Sequence, residues 1–325
     1  MNNIHKLSLA LAATLFFTAF IFSKQNHNNL PVIAIANYGP HSSLNESIRG
    51  ITEGLEKQGF KENHNIKFEI LDVNFDSSLI MQMISKLKSS KPKIFIALTT
   101  PVAQAAKNSV KDIPIVFGDI TDHVEAGLLQ HAHKPEENIT GASDKQDLGI
   151  VLDFIKKMLP NTKRIGILYA TGESNDLALI KMMDIAAKKH GMEVVAVPIE
   201  EARDVPIRMT QFKGAVDAIY VGSSGPVQPS LPTIVAIAEE MRIPVFNMNA
   251  EEVKNHKVFA SCGVSFYKVG TNISKIAAQI LGGKRPQEID PIEPKAEDHE
   301  SFISAKRAAK IGFHIDTSLS TLVVE

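Results

Sequence analysis

Tryptophan is absent from the 325 residues, and aromatic side chains of all kinds make up only 6% of them. Any stacking platform for a ring-shaped ligand must therefore come from tyrosine or phenylalanine, and Tyr38, Tyr169, Phe246 and Phe266 are the candidates. Phe246 falls inside a buried-strand pattern and reads as core. A single cysteine, Cys262, excludes an internal disulfide framework and a cysteine-rich zinc site. With no histidine beside it in the sequence, it reads as a small buried thiol rather than a nucleophile. Neither sign of charge is in excess: 35 Lys and Arg face 36 Asp and Glu, for a formal net charge of −1. The basic residues are scattered, so the footprint of a nucleic-acid binder is missing. No glycine fingerprint of the dinucleotide or P-loop kind stands at a strand–helix junction. Ser223-Ser224-Gly225 lacks the Gly-x-Ser-x-Gly elbow of hydrolases. His131-Ala-His133, with His123 nearby, has no third ligand at a diagnostic spacing and reads as a polar surface loop. No catalytic constellation, metal or cofactor is expected.

Long apolar runs are also scarce, with one exception at the N-terminus. "LSLALAATLFFTAFIF" (7–22) follows Lys6 and turns abruptly polar at "SKQNHNN". This is the n-region and h-region of an export signal, and it is shorter than the ~20 residues a membrane-spanning helix usually needs. No Ala-x-Ala cleavage site and no following cysteine are evident. Residues 1–23 are therefore expected to be a signal peptide or an N-terminal membrane anchor; cleavage and retention both fit.

What the chain does have is ordinary globular composition, 44% hydrophobic and 22% charged, at a length that suggests two domains. From residue 30 onward, continuous apolar runs of strand length alternate with amphipathic helices. "PVIAIANY" (31–38), "NIKFEILDV" (65–73), "KIFIALTT" (93–100) and "DIPIVFGD" (112–119) are separated by helical patterns. The second half repeats the order with "RIGILYA" (164–170), "EVVAVPI" (193–199), "VDAIYVGSSG" (216–225) and "RIPVFN" (242–247). Buried strands alternating with helices predict parallel sheets covered on both faces. The repeat predicts two such α/β units, Rossmann-like lobes hinged around a central cleft. The tail adds a helix over "TNISKIAAQILGG", a Pro-rich connector, an edge strand at "HESFIS" and a helix through "AKRAAKIG". The expected division is lobe 1 from 30–143 plus about 268–290, and lobe 2 from 144–267 plus about 291–325.

In open parallel sheets a ligand binds beyond the carboxyl ends of the strands. The polar residues that follow these strands are thus the candidate ligand contacts: Tyr38, Ser42, Thr99, Thr100, Gln104, Thr121 and Asp122 from the first lobe. The second lobe offers Glu173, Ser174, Asn175, Ser223, Ser224, Asn249 and Ser265. Hydroxyl and amide groups suit a polar ligand, although Ser and Thr at helix starts can equally cap free backbone N–H groups. An anionic end of the ligand would meet helix N-termini with Thr100 or Ser223, and a cationic or polar end Asp122 or Glu173.

"TTPVAQAAKNSVKDIPIVFGDITD" (99–122), "ENITGASD" (137–144), "MLPNTKRIGILYATGESN" (158–175) and "VDAIYVGSS" (216–224), taken in order, resemble the solute-binding proteins of ABC transporters. The likeness is to the branch with a type I periplasmic binding fold that includes tryptophan/tyrosine-type members, and it covers about residues 30–315. It implies a non-catalytic, monomeric, exported clamp. Such a clamp captures a small polar molecule, an amino acid or related compound, in the periplasm or on the outer face of the cytoplasmic membrane. It delivers that molecule to a permease. A membrane-anchored sensing or accessory domain with the same clamp is the alternative. The chain departs from the family at Thr121-Asp122-His123, where members often read Thr-Asp-Pro. It departs again at Asn249 and Ser265, where a carboxylate would be expected.

Overall fold

The structure, a computed structural model, describes residues 30–325. The leader expected at 1–23 lies outside the described residues. Among those described, no helix is long and apolar enough to cross a membrane.

Two sheets divide the chain. The first has the order β2-β1-β3-β4-β5, formed by β1 (Val32–Asn37), β2 (Lys67–Asp72), β3 (Ile94–Leu98), β4 (Ile115–Gly118) and β5 (Ile139–Ala142). All of its pairings are parallel. The second has seven strands. Its own core is β6 (Arg164–Ala170), β7 (Glu193–Ile199), β8 (Ala218–Val221), β9 (Val245–Asn247) and β10 (Ala260–Val264), in the order β7-β6-β8-β9-β10. That is the winding of the first sheet repeated. β11 (His299–Ser304) then adds antiparallel to β10, and β12 (Val323–Val324) adds parallel to β11. The expected two-lobed α/β architecture is therefore the observed one. "HESFIS" is not an edge strand, however: β11 is paired on both sides, and two-residue β12 takes the edge. β5, inside "ENITGASD", has no apolar run long enough to announce a strand.

The sequence types match the positions. β3 is apolar throughout and buried, and β1 is apolar up to its final Asn37 and buried from Ile33 onward, as strands covered on both faces must be. β2, with alternating apolar residues and partial exposure, closes an edge. The helices are α1 (Ser42–Lys57), α2 (Ile80–Ser89), α3 (Thr100–Ser109), α4 (Leu148–Met158), α5 (Ser174–Lys189), α6 (Val205–Met209), α7 (Leu231–Glu240), α8 (Ala250–Lys254), α9 (Phe266–Leu281) and α10 (Ala305–Ile311). α9 follows β10 but packs on the first sheet: Val269, Ile273, Ile276 and Ala277 share one core with Ile33, Ile35 and Ile96. It lies backbone-to-backbone on α1. A Cβ on Gly50 would come within 2.3 Å of the Tyr267 carbonyl oxygen, and one on Gly270 within 2.1 Å of that of Ser47.

The chain passes between sheets three times, after β5, after β10 and before β11, and the three strands of chain are tied together. Ser143 N donates to Ile292 O at 3.0 Å and Ile292 N to Gly141 O at 2.9 Å. Gln146 Oε1 accepts from Val264 N at 3.0 Å, and His299 Nε2 accepts from Asp147 N at 2.9 Å. A narrow, hydrogen-bonded waist is the geometry of a hinge.

Candidate functional site

The two sheets point their carboxyl ends at each other. Tyr38 follows β1, Thr99 and Thr100 follow β3, Asp119 follows β4, and Asp144 stands just past β5. Glu173, Ser223 with Ser224, and Met248 follow β6, β8 and β9. All of these line one cavity of about 50 Å³ between the lobes, together with Thr121, Asn175, His41, Phe75 and Gln228. The repeated phrase of the sequence meets itself here, since Asp119 after "PIVFG" faces the same cleft as Met248 after "IPVFN".

Glu173 organises the second-lobe wall. Its Oε2 accepts from Gly225 N at 3.0 Å and from Asn175 Nδ2 at 3.3 Å, while Oε1 accepts from the Tyr38 hydroxyl of the opposite lobe at 3.3 Å. Burial and the adjacent Glu173 charge push the Tyr38 phenol far above its usual range, so it stays a donor. Phe75 packs edge-on to Tyr38 with ring centroids 5.6 Å apart. Beneath Glu173, burial and then the Glu173 charge raise the Asp176 carboxyl to about 8. On the first-lobe wall, burial and the neighbouring Asp144 charge raise Asp119 well above the carboxylate range, against a hydrogen bond from Ser47 Oγ at 2.7 Å. Burial raises Asp144 to about 7. Three wall residues, Phe75, Thr99 and Asp119, hold left-handed backbone angles (φ of 64°, 76° and 55°). Such angles cost a side-chain-bearing residue of order 1–3 kcal/mol and cluster where function requires them.

Of the sequence-selected residues, Tyr38, Thr99, Thr100, Thr121, Glu173, Asn175, Ser223 and Ser224 line this cavity. Six do not. Asp122 accepts from Val124 N and Glu125 N, each at 3.0 Å, and pairs with Lys145 Nζ at 2.9 Å. Partial burial works against its ionisation, yet the lysine and the turn amides hold it below its ordinary value. It braces a turn outside the cavity lining. Gln104 and Ser174 bond each other across the lobes at 3.1 Å. Ser42 and Asn249 do the same at 2.8 Å, with Ser42 also donating to Glu252. Asn249 caps α8, and Ser265 begins α9 in a separate recess. Among the ring candidates only Tyr38 lines the cavity; Phe246 is packed edge-on to Phe154 and Phe259 in the second-lobe core. His123 is buried and stacked on Phe117, with Nε2 on the Ala132 carbonyl at 2.9 Å, so it is a core residue and not part of a surface loop.

Sequence reasoning missed Asp119, Asp144, His41, Phe75 and Gln228. Two of these had a signal: "FGD" and "GASD" each place an acid directly beyond small residues at a strand end. Phe75 and Gln228 had none, because loop conformation brings them in.

Together the strand-end loops form a pocket rimmed by lobe-to-lobe hydrogen bonds, among them Thr121 Oγ1 to Ser223 Oγ at 2.9 Å. The model of the family described as ABC transporter substrate binding protein matches residues 32–325. The chain belongs to this family. Over 252 residues, 78% of this chain and 73% of the relative, it is 32% identical to a "Tyrosine-binding protein" of Clostridioides difficile. It resembles a solved ABC domain from Streptococcus pneumoniae in complex with L-Trp, at 25% identity and TM-score 0.84, covering 91% of this chain and all of that one. A ligand-free, open structure of a substrate binding protein with adhesive properties from Clostridium difficile is 29% identical with TM-score 0.69, covering 91% of this chain and 99% of that one. The substrate-binding protein described here has direct lobe-to-lobe contacts across its cleft.

Proposed function

We propose that this substrate-binding protein works outside the cytoplasmic membrane, closing its lobes on a small polar molecule, an amino acid or related compound, and handing it to the permease of an ABC transporter. It performs no chemistry on its cargo. The observation that carries this reading is a buried cleft lined from both lobes by strand carboxyl ends, with Glu173 bridging to Tyr38 across the opening. The names of the tyrosine-binding relative and the L-Trp complex support an amine-bearing ligand. Residues 30–143 with about 268–290 would move as one lobe, and 144–267 with about 291–325 as the other, about the hydrogen-bonded waist. The amine of the ligand would meet Glu173, and an anionic end the start of α3 at Thr100 or the Ser223 hydroxyl.

A thermal-shift screen of the purified protein against amino acids, nucleosides, sugars and small carboxylates tests this. A true ligand at a hundredfold excess over its Kd adds about 2.7 kcal/mol of stability. Glu173→Gln should weaken that ligand at least tenfold. A screen in which no class stabilises the protein, or a hit indifferent to Glu173→Gln, would overturn the assignment.

A further inference from the structure

Resting on that reading of the cleft, we infer that its ligand carries more positive than negative charge: a primary amine or a basic amino acid, in preference to a neutral zwitterion. Of the six buried side-chain groups of the cavity lining that lack a partner among the described residues, four are carboxyl or amide oxygens. Asp119 and Asp144 are 5% and 2% exposed. Asp119 spends Oδ1 on Ser47, and its Oδ2 has no donor among the described residues; nor has Asp144 Oδ1. Asn175 Oδ1 and Gln228 Oε1 are likewise buried carbonyl oxygens without a donor. The amide orientations are set by their nitrogens, because Asn175 Nδ2 donates to Ser223 O at 2.6 Å and Gln228 Nε2 to Gly222 O at 2.6 Å. The other two unpartnered groups, the Thr99 and Ser224 hydroxyls, can serve either way.

The absence of opposing charge points the same way. Glu173 lines the cavity, Asp144 joins it as a carboxylate only above about pH 7, Asp119 keeps its proton to higher pH than an ordinary aspartate, and among the described residues lining the cavity there is no lysine or arginine. His41, at the same wall, is drawn toward Glu252 (Nε2 to Oε1, 3.8 Å). Buried carboxylates and carbonyls without donors are costly to maintain, and a group with several N–H bonds and a positive charge relieves them together. A zwitterion supplies one such group but brings a carboxylate for which the cavity offers only hydroxyls and helix-start amides. A second ammonium, or an amine without the carboxylate, matches the lining better.

Matched pairs differing by one unit of charge decide the matter: tyramine against L-tyrosine, and L-lysine against L-norleucine, titrated calorimetrically at pH 8. The cation of at least one pair should bind tenfold or more tighter than its zwitterion. Asp119→Asn should narrow that ratio at least tenfold, and Asp144→Asn supplies the same test should the first variant fold poorly. Zwitterions binding as tightly as their cationic partners, or a ratio unmoved by both variants, would overturn the charge assignment. If a zwitterion alone binds and is lost in Glu173→Gln, the cleft reading stands while this inference fails. If nothing in the panel binds, the inference falls with it.

Discussion

Asp144 holds its proton to about 7 because folding strips water from its carboxyl group. The unfolded chain releases that proton near 4. Below that pH both states are protonated and the group's full contribution to stability is present; it is lost as pH rises through about 7, at roughly 1.4 kcal/mol per unit. Acids with lowered values, such as Asp122 and Asp217, are ionised in both states above pH 5, so they add no slope there. His41, lowered by burial, works in the opposite direction because its contribution is lost as pH falls. The diagnostic is therefore a difference: urea midpoints should fall from pH 5 to pH 8 by less in Asp144→Asn than in the unaltered protein. Hydroxyl and acid candidates were legible wherever strand ends were, as with Thr99, Ser223 and Glu173. Asp119 escaped notice because strand periodicity does not say which strand-end acids face the cavity between the lobes.

At the scale of elements, the α1–α9 crossing is the most demanding contact. Gly50, Gly54 and Gly270 let two helices from distant parts of the chain touch through their backbones, and a Cβ on Gly54 would fall 2.2 Å from Ser274 Oγ. Gly270→Ala has no room to relax, because the obstacle is the Ser47 carbonyl oxygen, and overpacking of this kind costs about 1–3 kcal/mol. Chemical denaturation should show that loss. Ligand affinity should fall with it, since Ser47 also holds Asp119. The glycines were visible in the sequence, but their partner helix was not. The same limit explains β11, taken for an edge from its short alternating run: only folding brings Val323–Val324 against it.

Across the whole molecule, the lobes are latched outside the cleft as well as around it. Glu252 of α8 is 1% exposed and meets Ser42 and His41 of the first lobe, with Lys257 Nζ 3.3 Å away. Lys181 reaches Glu125 across the lobes at 2.6 Å. Glu252→Ala removes the centre of the latch and should shift the protein toward an open form, seen as a larger radius of gyration in small-angle scattering. Ligand affinity should weaken as the closed fraction falls, because the ligand must then offset more of the free energy of closure. An unchanged radius and unchanged Kd would show that the latch carries no weight in closure.

Hydrophobic period and turn residues sufficed for the duplicated α/β units and the parallel sheets, since those features follow from short-range preference along the chain, while the family was legible only through the resemblance of four ordered segments. Which strand-end side chains share a cavity, that α9 crosses back to the first sheet, and that the acceptors of Asp119, Asp144, Asn175 and Gln228 are left without donors all depend on folding. These are relations between residues up to a hundred or more positions apart, and burial, which turns an ordinary aspartate into a site, exists only once the chain has closed around it.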